Sequence, residues 1–169
     1  LKQLWHTQKL KGVFVQAFGN SAMTLMAQQA GMDFIFYDCE HGSYSYSELR
    51  DLMLLGNGRS FPSIVRAAQL SRENVSKILD CGASGVMVPM IETKEQAELL
   101  VGWSKYPPEG IRSYSGGPHT DYGPSGAHEI RMRQMNEKTM TIVQIETVKG
   151  VENVDEILSV DGVDAAIVG

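Results

Sequence analysis

The sequence has few cysteines, no long hydrophobic run and no concentration of basic residues. Cys39 and Cys81 are the only cysteines in 169 residues. Two thiols do not make a disulfide framework, which favours a reducing compartment and hence the cytoplasm. No stretch approaches the ~20 consecutive apolar residues that a membrane helix needs. The net charge is −5, and without a Lys/Arg cluster we expect no nucleic-acid surface.

Short apolar runs alternate with amphipathic segments along the whole chain. The pattern predicts strands at residues 13–18, 34–37, 63–67, 85–89, 141–145 and 165–168. It predicts helices between and after them, at about residues 21–30, 46–55, 71–80, 93–106, 128–136 and 151–158. A strand followed by a helix, repeated in this way, implies parallel strands joined by right-handed crossovers. The fold class is therefore α/β.

Two α/β architectures are compatible with this pattern. An open doubly wound sheet can close with six strands, and the chain length favours it. A (β/α)₈ barrel needs eight strands and typically about 250 residues. Against the open sheet, no Gly-x-Gly-x-x-Gly follows the first strand, and ionisable groups end several strands instead of one. The chain also stops directly after a strand, at residues 167–169, which we interpret as an interruption.

Polar, ionisable side chains follow two buried strands that lie far apart in the sequence. Residues 38–41 read Asp-Cys-Glu-His, and residues 144–146 read Gln-Ile-Glu. Parallel α/β folds gather such strand ends on one face, where chemistry takes place. A His beside carboxylates on one strand, with a Glu on another, suggests acid/base chemistry around a divalent metal. A long loop, residues 110–126, is of a kind that is usually functional or mobile.

Seven segments together resemble the HpcH/HpaI aldolase family, whose members are class II, metal-dependent pyruvate aldolases of the phosphoenolpyruvate/pyruvate-binding barrel superfamily. They occur in the family's order and are Phe36-Tyr-Asp-Cys-Glu-His-Gly42, Ile64-Val-Arg66, Lys77-Ile-Leu-Asp-Cys-Gly-Ala83, Val86-Met-Val-Pro-Met90, Tyr106-Pro-Pro-Glu-Gly-Ile-Arg112, Val143-Gln-Ile-Glu146 and Gly150-Val-Glu-Asn-Val-Asp-Glu-Ile157. The resemblance implies a (β/α)₈ TIM barrel. This chain would hold about the first six βα units, as one domain over residues 1–169 truncated after the sixth strand.

The resemblance also assigns catalytic roles at the ends of the second and third strands. His41 is expected to be the general base, oriented by Asp38, which removes a methyl proton from pyruvate through a water. Arg66 is expected to hold the pyruvate oxygen. The alternatives are a structural His that caps a loop, and a salt bridge from Arg66 to Asp38 or Glu40 that only organises the mouth of the barrel.

Metal and substrate contacts follow from the same resemblance. Glu146 is expected to bind Mg²⁺, Mn²⁺ or Co²⁺, with a second protein ligand just beyond Gly169, and Glu40 to hydrogen-bond metal-bound waters. Gln144 is expected to contact the substrate, and Asp80 to reach a neighbouring subunit's site. Alternatively, Glu146 pairs with Lys149 at a helix start, Gln144 bonds to backbone, and Asp80 is a surface residue in a turn.

The function implied by the resemblance is that of a class II aldolase. It would form or cleave 4-hydroxy-2-oxo acids through a metal-stabilised pyruvate enolate, with a 2-oxo acid and an aldehyde as substrates. The family resemblance also implies a homo-oligomer, either a hexamer or a trimer. Arg112 could meet an acidic aldehyde or anchor the long loop. The alternatives are a citrate-lyase-β-like acyl-CoA lyase with the same fold and a non-catalytic barrel fragment.

Overall fold

The strands form one parallel sheet in which sequence order and spatial order agree. The computed structural model describes residues 1–123 and 127–169, so the last three positions of the predicted loop 110–126 lie outside the described residues. Within those ranges there are six strands: β1 Gly12–Val15, β2 Phe34–Asp38, β3 Ser63–Arg66, β4 Gly85–Val88, β5 Met140–Ile145 and β6 Ala165–Val168. Their order is β1-β2-β3-β4-β5-β6, and each neighbouring pair is parallel.

This order decides between the two architectures that the sequence left open. A doubly wound sheet reverses direction, so that later strands lie on the far side of the first strand. A sheet that adds every new strand to the same edge is wound in one direction, as in a (β/α) barrel. The chain therefore forms part of a TIM-barrel-like α/β fold, and the open sheet favoured by chain length is not formed.

In the described part of the chain, seven helices connect the strands and cover one face of the sheet. They are α2 Ser21–Gln29, α3 Tyr46–Gly58, α4 Arg72–Asp80, α5 Lys94–Ser104, α6 His128–Lys138, α7 Val148–Glu152 and α8 Val154–Leu158, with a 3₁₀ turn at Pro118–Thr120. A short helix, α1 Lys2–Trp5, precedes β1 and packs through Trp5 against Phe34 on the other face. In the ranges that the structure covers, no helix is both long enough and apolar enough to span a bilayer.

Two helices differ from the prediction for local reasons. The helix predicted to end before Gly56 continues to Gly58, and Gly56 serves close packing instead of ending the helix: a Cβ at this position would lie 2.8 Å from the Phe61 carbonyl oxygen. The helix predicted at residues 151–158 is two short helices, α7 and α8. The Thr147 side chain accepts the Gly150 N–H at 3.0 Å and so starts α7 three residues early.

The core has two layers, one on each face of the sheet. The outer layer contains alternate strand residues, among them Ile35 and Val65, packed against the helices. The inner layer, on the face away from the helices that cover the sheet, contains Phe36, Ile64, Met87, Met140 and Ile142. Because successive side chains of a strand point to opposite faces, the residues two positions after Phe36, Ile64 and Ile142 also point inward. The sequence therefore places polar side chains directly above the inner layer.

Candidate active site at the carboxyl ends of the strands

Asp38 and Arg66 form a buried ion pair above the inner layer. They are register partners at the ends of β2 and β3. Arg66 donates from Nε to Asp38 Oδ1 at 2.7 Å and from Nη2 to Oδ2 at 2.8 Å, which is the bidentate geometry of a strong pair. Asp38 is fully buried. Burial by itself raises the pKa of Asp38, but the hydrogen bonds and charge of Arg66 outweigh it, so this pKa lies below its ordinary value. Both groups are therefore charged at neutral pH.

Glu40 extends this pair toward the mouth of the site. Its backbone N–H donates to Asp38 Oδ1 at 3.0 Å, and its Oε2 lies 3.0 Å from Arg66 Nη1. These two atoms are close but not aligned as a hydrogen bond. Within the described residues, Glu40 Oε2 is buried and has no hydrogen-bond partner. An acceptor atom of this kind is suited to a bound water or another donor.

Gln144 and Glu146 continue the network from β5. Gln144 accepts from Arg66 Nη1 at 3.3 Å and donates from Nε2 to Glu146 Oε2 at 2.8 Å. The other carboxylate oxygen of Glu146, Oε1, accepts the backbone N–H of Met90 at 2.9 Å. A continuous chain of contacts thus joins the ends of β2, β3 and β5 with Met90, the second residue after β4. The structure brings together Asp38, Glu40, Arg66, Gln144 and Glu146.

His41 lies at the outer edge of this cluster. Its side chain is 64% exposed, and Nε2 lies 3.9 Å from Glu40 Oε2. The carboxylate of Asp38, predicted to orient His41, contacts the Arg66 guanidinium and backbone N–H groups. The imidazole therefore meets solvent beside Glu40, and its role as base stays a prediction.

Asp80 lies at the opposite end of the molecule. It is the last residue of α4, which runs back from the end of β3 to the start of β4. Arg112 Nη2 donates to Asp80 Oδ1 at 2.7 Å, and His119 Nδ1 lies 3.2 Å from the Asp80 carbonyl oxygen. The structure does not bring Asp80 together with the other predicted site residues of this chain. Arg112 is 4% exposed and holds the start of the long loop against α4.

Two contributors were not identified from the sequence. Met90 supplies a backbone donor to Glu146, and nothing in its residue type signals this. Phe14, on β1, lies under the guanidinium of Arg66, with 5.5 Å from the ring centroid to Cζ, and stacks on Phe36 at 5.3 Å. The alternation of β1 could have placed Phe14 on the inner face, but not beneath Arg66.

The cysteines supply no nucleophile. Burial is the main cause that raises the pKa of the Cys39 thiol, to about 12, and the neighbouring Asp38 charge adds to it. Burial also raises the pKa of Cys81. Since the thiolate is the reactive form, both thiols stay protonated and unreactive at neutral pH.

The donor set fits a hard divalent cation, although the described residues do not complete its shell. Among them, no group of three or more His, Cys, Asp or Glu residues lies close enough to hold a metal. Glu146 nevertheless offers a carboxylate, the ligand type that Mg²⁺ and Mn²⁺ prefer. Each of its oxygens accepts one hydrogen bond and retains a second lone pair. Glu146 is thus the candidate ligand, with Glu40 beside the site as an acceptor for metal-bound water.

Comparisons with known proteins identify relatives of this chain. The family model for HpcH/HpaI aldolase/citrate lyase matches residues 11–169. A curated relative, 5-keto-4-deoxy-D-glucarate aldolase of Escherichia coli (strain K12), is 33% identical over 153 residues, which cover 90% of this chain and 59% of that protein. The chain therefore spans about three fifths of the length of the curated relatives it matches.

Solved structures show the same architecture. The HpcH/HpaI aldolase from Desulfitobacterium hafniense DCB-2 is 34% identical with a TM-score of 0.93, covering 99% of this chain and 64% of that one. The citrate synthase SbnG is 30% identical with a TM-score of 0.86, covering 100% of this chain and 64% of its own.

Proposed function

Because the chain belongs to the HpcH/HpaI aldolase/citrate lyase family, we propose that it is the site-bearing part of a metal-dependent aldolase. The reaction would form or cleave a 4-hydroxy-2-oxo acid, with pyruvate or a related 2-oxo acid and an aldehyde as partners. The observation that carries the proposal is the charge of the cluster. Three carboxylates, Asp38, Glu40 and Glu146, surround one guanidinium, Arg66, which leaves an excess of two negative charges.

This excess argues for a divalent cation at Glu146. An anionic 2-oxo acid would be repelled by the carboxylates alone, whereas a divalent cation balances them. When bound, Mg²⁺, Mn²⁺ or Co²⁺ would act as a Lewis acid on the substrate's keto oxygen. Glu146 would hold the cation, and Glu40 would accept hydrogen bonds from its waters.

Arg66 is the residue that would stabilise the enolate. Asp38 fixes its Nε and Nη2, and Gln144 accepts from Nη1, so the guanidinium cannot turn away. Nη2, which bonds Asp38 through one N–H, carries a second N–H that can donate to a substrate oxygen. Donors that are fixed before the reaction stabilise developing charge without having to reorganise. Asp38 and Gln144 would thus position Arg66, and Gln144 would also face the substrate.

His41 would move the proton. Its imidazole lies at the mouth of the site, where a water can bridge it to the methyl carbon of the oxo acid. Imidazoles exchange protons near neutral pH, as a general base must. Glu40 Oε2 lies 3.9 Å from Nε2, so this carboxylate would help to orient the imidazole.

Asp80 would act in another copy of the chain. It lies at the far end from the cluster of its own chain, and its side chain is 38% exposed beside Arg112. A homo-oligomer, trimer or hexamer, in which this end faces a neighbour's site would bring Asp80 to the substrate.

The test is exchange of the methyl protons of pyruvate with D₂O, followed by NMR, in the full-length protein with Mn²⁺ or Mg²⁺. We expect exchange that EDTA abolishes and that Glu146→Gln lowers on the order of 100-fold. Glu129→Gln, an exposed residue of α6, is the matched control and should exchange like wild type. Exchange that persists in EDTA would contradict the metal role.

A second candidate is supported by the likeness to the citrate synthase structure. In that case the same fold would act on a different substrate, either an acyl-CoA or a molecule with several carboxylates, in place of a 4-hydroxy-2-oxo acid. Turnover of citramalyl-CoA or malyl-CoA in preference to 4-hydroxy-2-oxo acids would favour this candidate over the aldolase.

A further inference from the structure

We propose that the backbone of Met90 is a positioning device for Glu146. The left-handed conformation of Met90 directs its N–H at Glu146 Oε1 and thereby sets the orientation of the carboxylate. The inference rests on the proposed function, because it assigns Met90 to the same site. It concerns the main chain of Met90 and not its side chain.

The conformation of Met90 is unusual for its residue type. Its φ is 58°, in the left-handed region that L-residues other than glycine rarely enter because Cβ approaches the carbonyl oxygen. In the described ranges, Ser60, Asp121, Tyr122 and Ala127 share a positive φ, but each of these lies in a turn or at a helix boundary. Met90 is the member of this set that follows a strand at its carboxyl end and donates to a carboxylate.

The Met90 side chain does not explain the strain. It is 52% exposed, so little packing depends on where it points. A glycine would adopt the same φ without the steric cost. What the conformation provides is a backbone N–H, 2.9 Å from Glu146 Oε1. Backbone strain that persists beside a candidate site is a reason to look for a role there.

Neighbouring contacts hold the segment after β4 in place. Ile91 is fully buried, and its N–H donates to the Gln144 carbonyl oxygen at 3.2 Å. Asn153 Nδ2 donates to the Glu92 carbonyl oxygen at 2.8 Å. A Cβ at Gly150 would come within 2.8 Å of the Ile91 carbonyl oxygen, so α7 approaches the segment closely. These contacts fix residues 91 and 92, and the chain must turn sharply at Met90 to reach them.

The result is a carboxylate held from two sides. Met90 N–H fixes Oε1, and Gln144 Nε2 fixes Oε2 at 2.8 Å. The two donors come from different strand ends, so together they restrict rotation of the carboxylate plane. Gln144 in turn bonds Arg66. Met90 is thus the fixed end of a chain of contacts that runs from the backbone through Glu146 and Gln144 to the guanidinium.

The experiment separates the N–H from the side chain. In the full-length protein, the α-hydroxy analogue of methionine at position 90 replaces the amide by an ester and removes only the N–H. We expect this change to weaken Mn²⁺ binding about tenfold by calorimetry. Met90→Gly keeps the N–H and suits the φ, so it should bind Mn²⁺ within about twofold of wild type. Equal weakening in both variants, or none in the ester, would overturn the inference.

A second readout keeps the inference testable if the metal role fails. Metal-free crystal structures of wild type and the ester variant should differ in the Glu146 carboxylate, which we expect to turn away from position 90. If wild type binds no Mn²⁺, the proposed metal role fails on its own. An unchanged Glu146 carboxylate in the ester variant would then reject the positioning role of Met90.

Discussion

At the scale of single residues, the site depends on charges that are buried in pairs. Asp38 would be costly to bury alone, because an ionised carboxylate away from water loses its solvation. The bidentate contact with Arg66 offsets that cost, and it also fixes the guanidinium for a substrate. Arg66 can therefore both organise the mouth of the barrel through its salt bridge and make the proposed contact with the substrate oxygen.

Asp38→Asn tests the contribution of this pair to stability. The amide keeps the shape of the carboxylate but leaves Arg66 buried without a counter-charge. We expect the free energy of unfolding at pH 7 to fall by about 3 kcal/mol, measured by urea denaturation. Glu73→Gln, in an exposed pair with Lys77, is the control and should leave the midpoint unchanged within error.

The Asp38→Asn variant also tests how the free energy of unfolding changes at acidic pH. The pKa of Asp38 is lowered in the folded protein, so its stabilisation is complete above the unfolded value, about 3.9. It is lost as the pH falls through the lower folded value. The difference between wild type and Asp38→Asn should therefore shrink below about pH 4. A constant difference down to pH 2 would contradict this origin.

At the scale of elements, the start of α5 follows a local rule, whereas the end of α3 does not. Thr93 and Gln96 form a capping box at the start of α5: the Thr93 hydroxyl accepts the Gln96 N–H at 3.4 Å, and Gln96 Oε1 accepts the Thr93 N–H at 3.2 Å. By contrast, α3 runs on through Gly56 to Gly58, beyond the end predicted for it at residue 55. A cap needs only four residues, whereas the end of α3 depends on a contact with Phe61.

Thr93→Ala tests the cap of α5. Loss of the hydroxyl leaves an N–H of the first turn without its partner, so we expect the free energy of unfolding to fall by about 1 kcal/mol. Thr93→Ser keeps the hydroxyl and should stay close to wild type. If Thr93→Ser loses as much as Thr93→Ala in chemical denaturation, the methyl group and not the cap is responsible.

At the scale of the whole molecule, one buried lysine joins segments that are distant in sequence. Lys105, at the end of α5, donates from Nζ to the carbonyl oxygens of Asn136 at 3.0 Å and Thr139 at 2.6 Å. It also lies 4.0 Å from Asp164 Oδ2, before β6. Burial is the main cause that lowers the pKa of Lys105 to about 8, and the charge of Lys2 adds to it.

Because of Lys105, the free energy of unfolding should change with pH in the alkaline range. The folded pKa, about 8, lies below the unfolded value of about 10.4. Between them the unfolded chain binds more protons, so the free energy of unfolding rises with pH. Wild type should gain about 2 kcal/mol over Lys105→Met between pH 7.5 and 9.5, measured by urea denaturation. Exposed Lys94→Met, at the other end of α5, should give no such gain; equal gains would refute the assignment to Lys105.

The sequence by itself determined what local patterns can encode. Alternating side chains and strand–helix repetition gave the α/β class, the strand positions to within a few residues, and a cluster of ionisable groups at strand ends. A strand's period of two places Asp38 on the same face as Phe36, Arg66 on that of Ile64 and Gln144 on that of Ile142, each within its own strand. The resemblance of seven segments to one family then pointed to the barrel.

The tertiary structure decided what depends on contacts between distant segments. Strand order, and with it the barrel instead of the open sheet, follows from which edges meet. The partner of Asp38 is Arg66, 28 residues away, and Asp80 lies far from the cluster because α4 runs back along the sheet. The left-handed Met90 is set by packing of Ile91 and α7. None of these is visible in a short window of sequence, because the energy that selects them comes from contacts made only after the chain has folded.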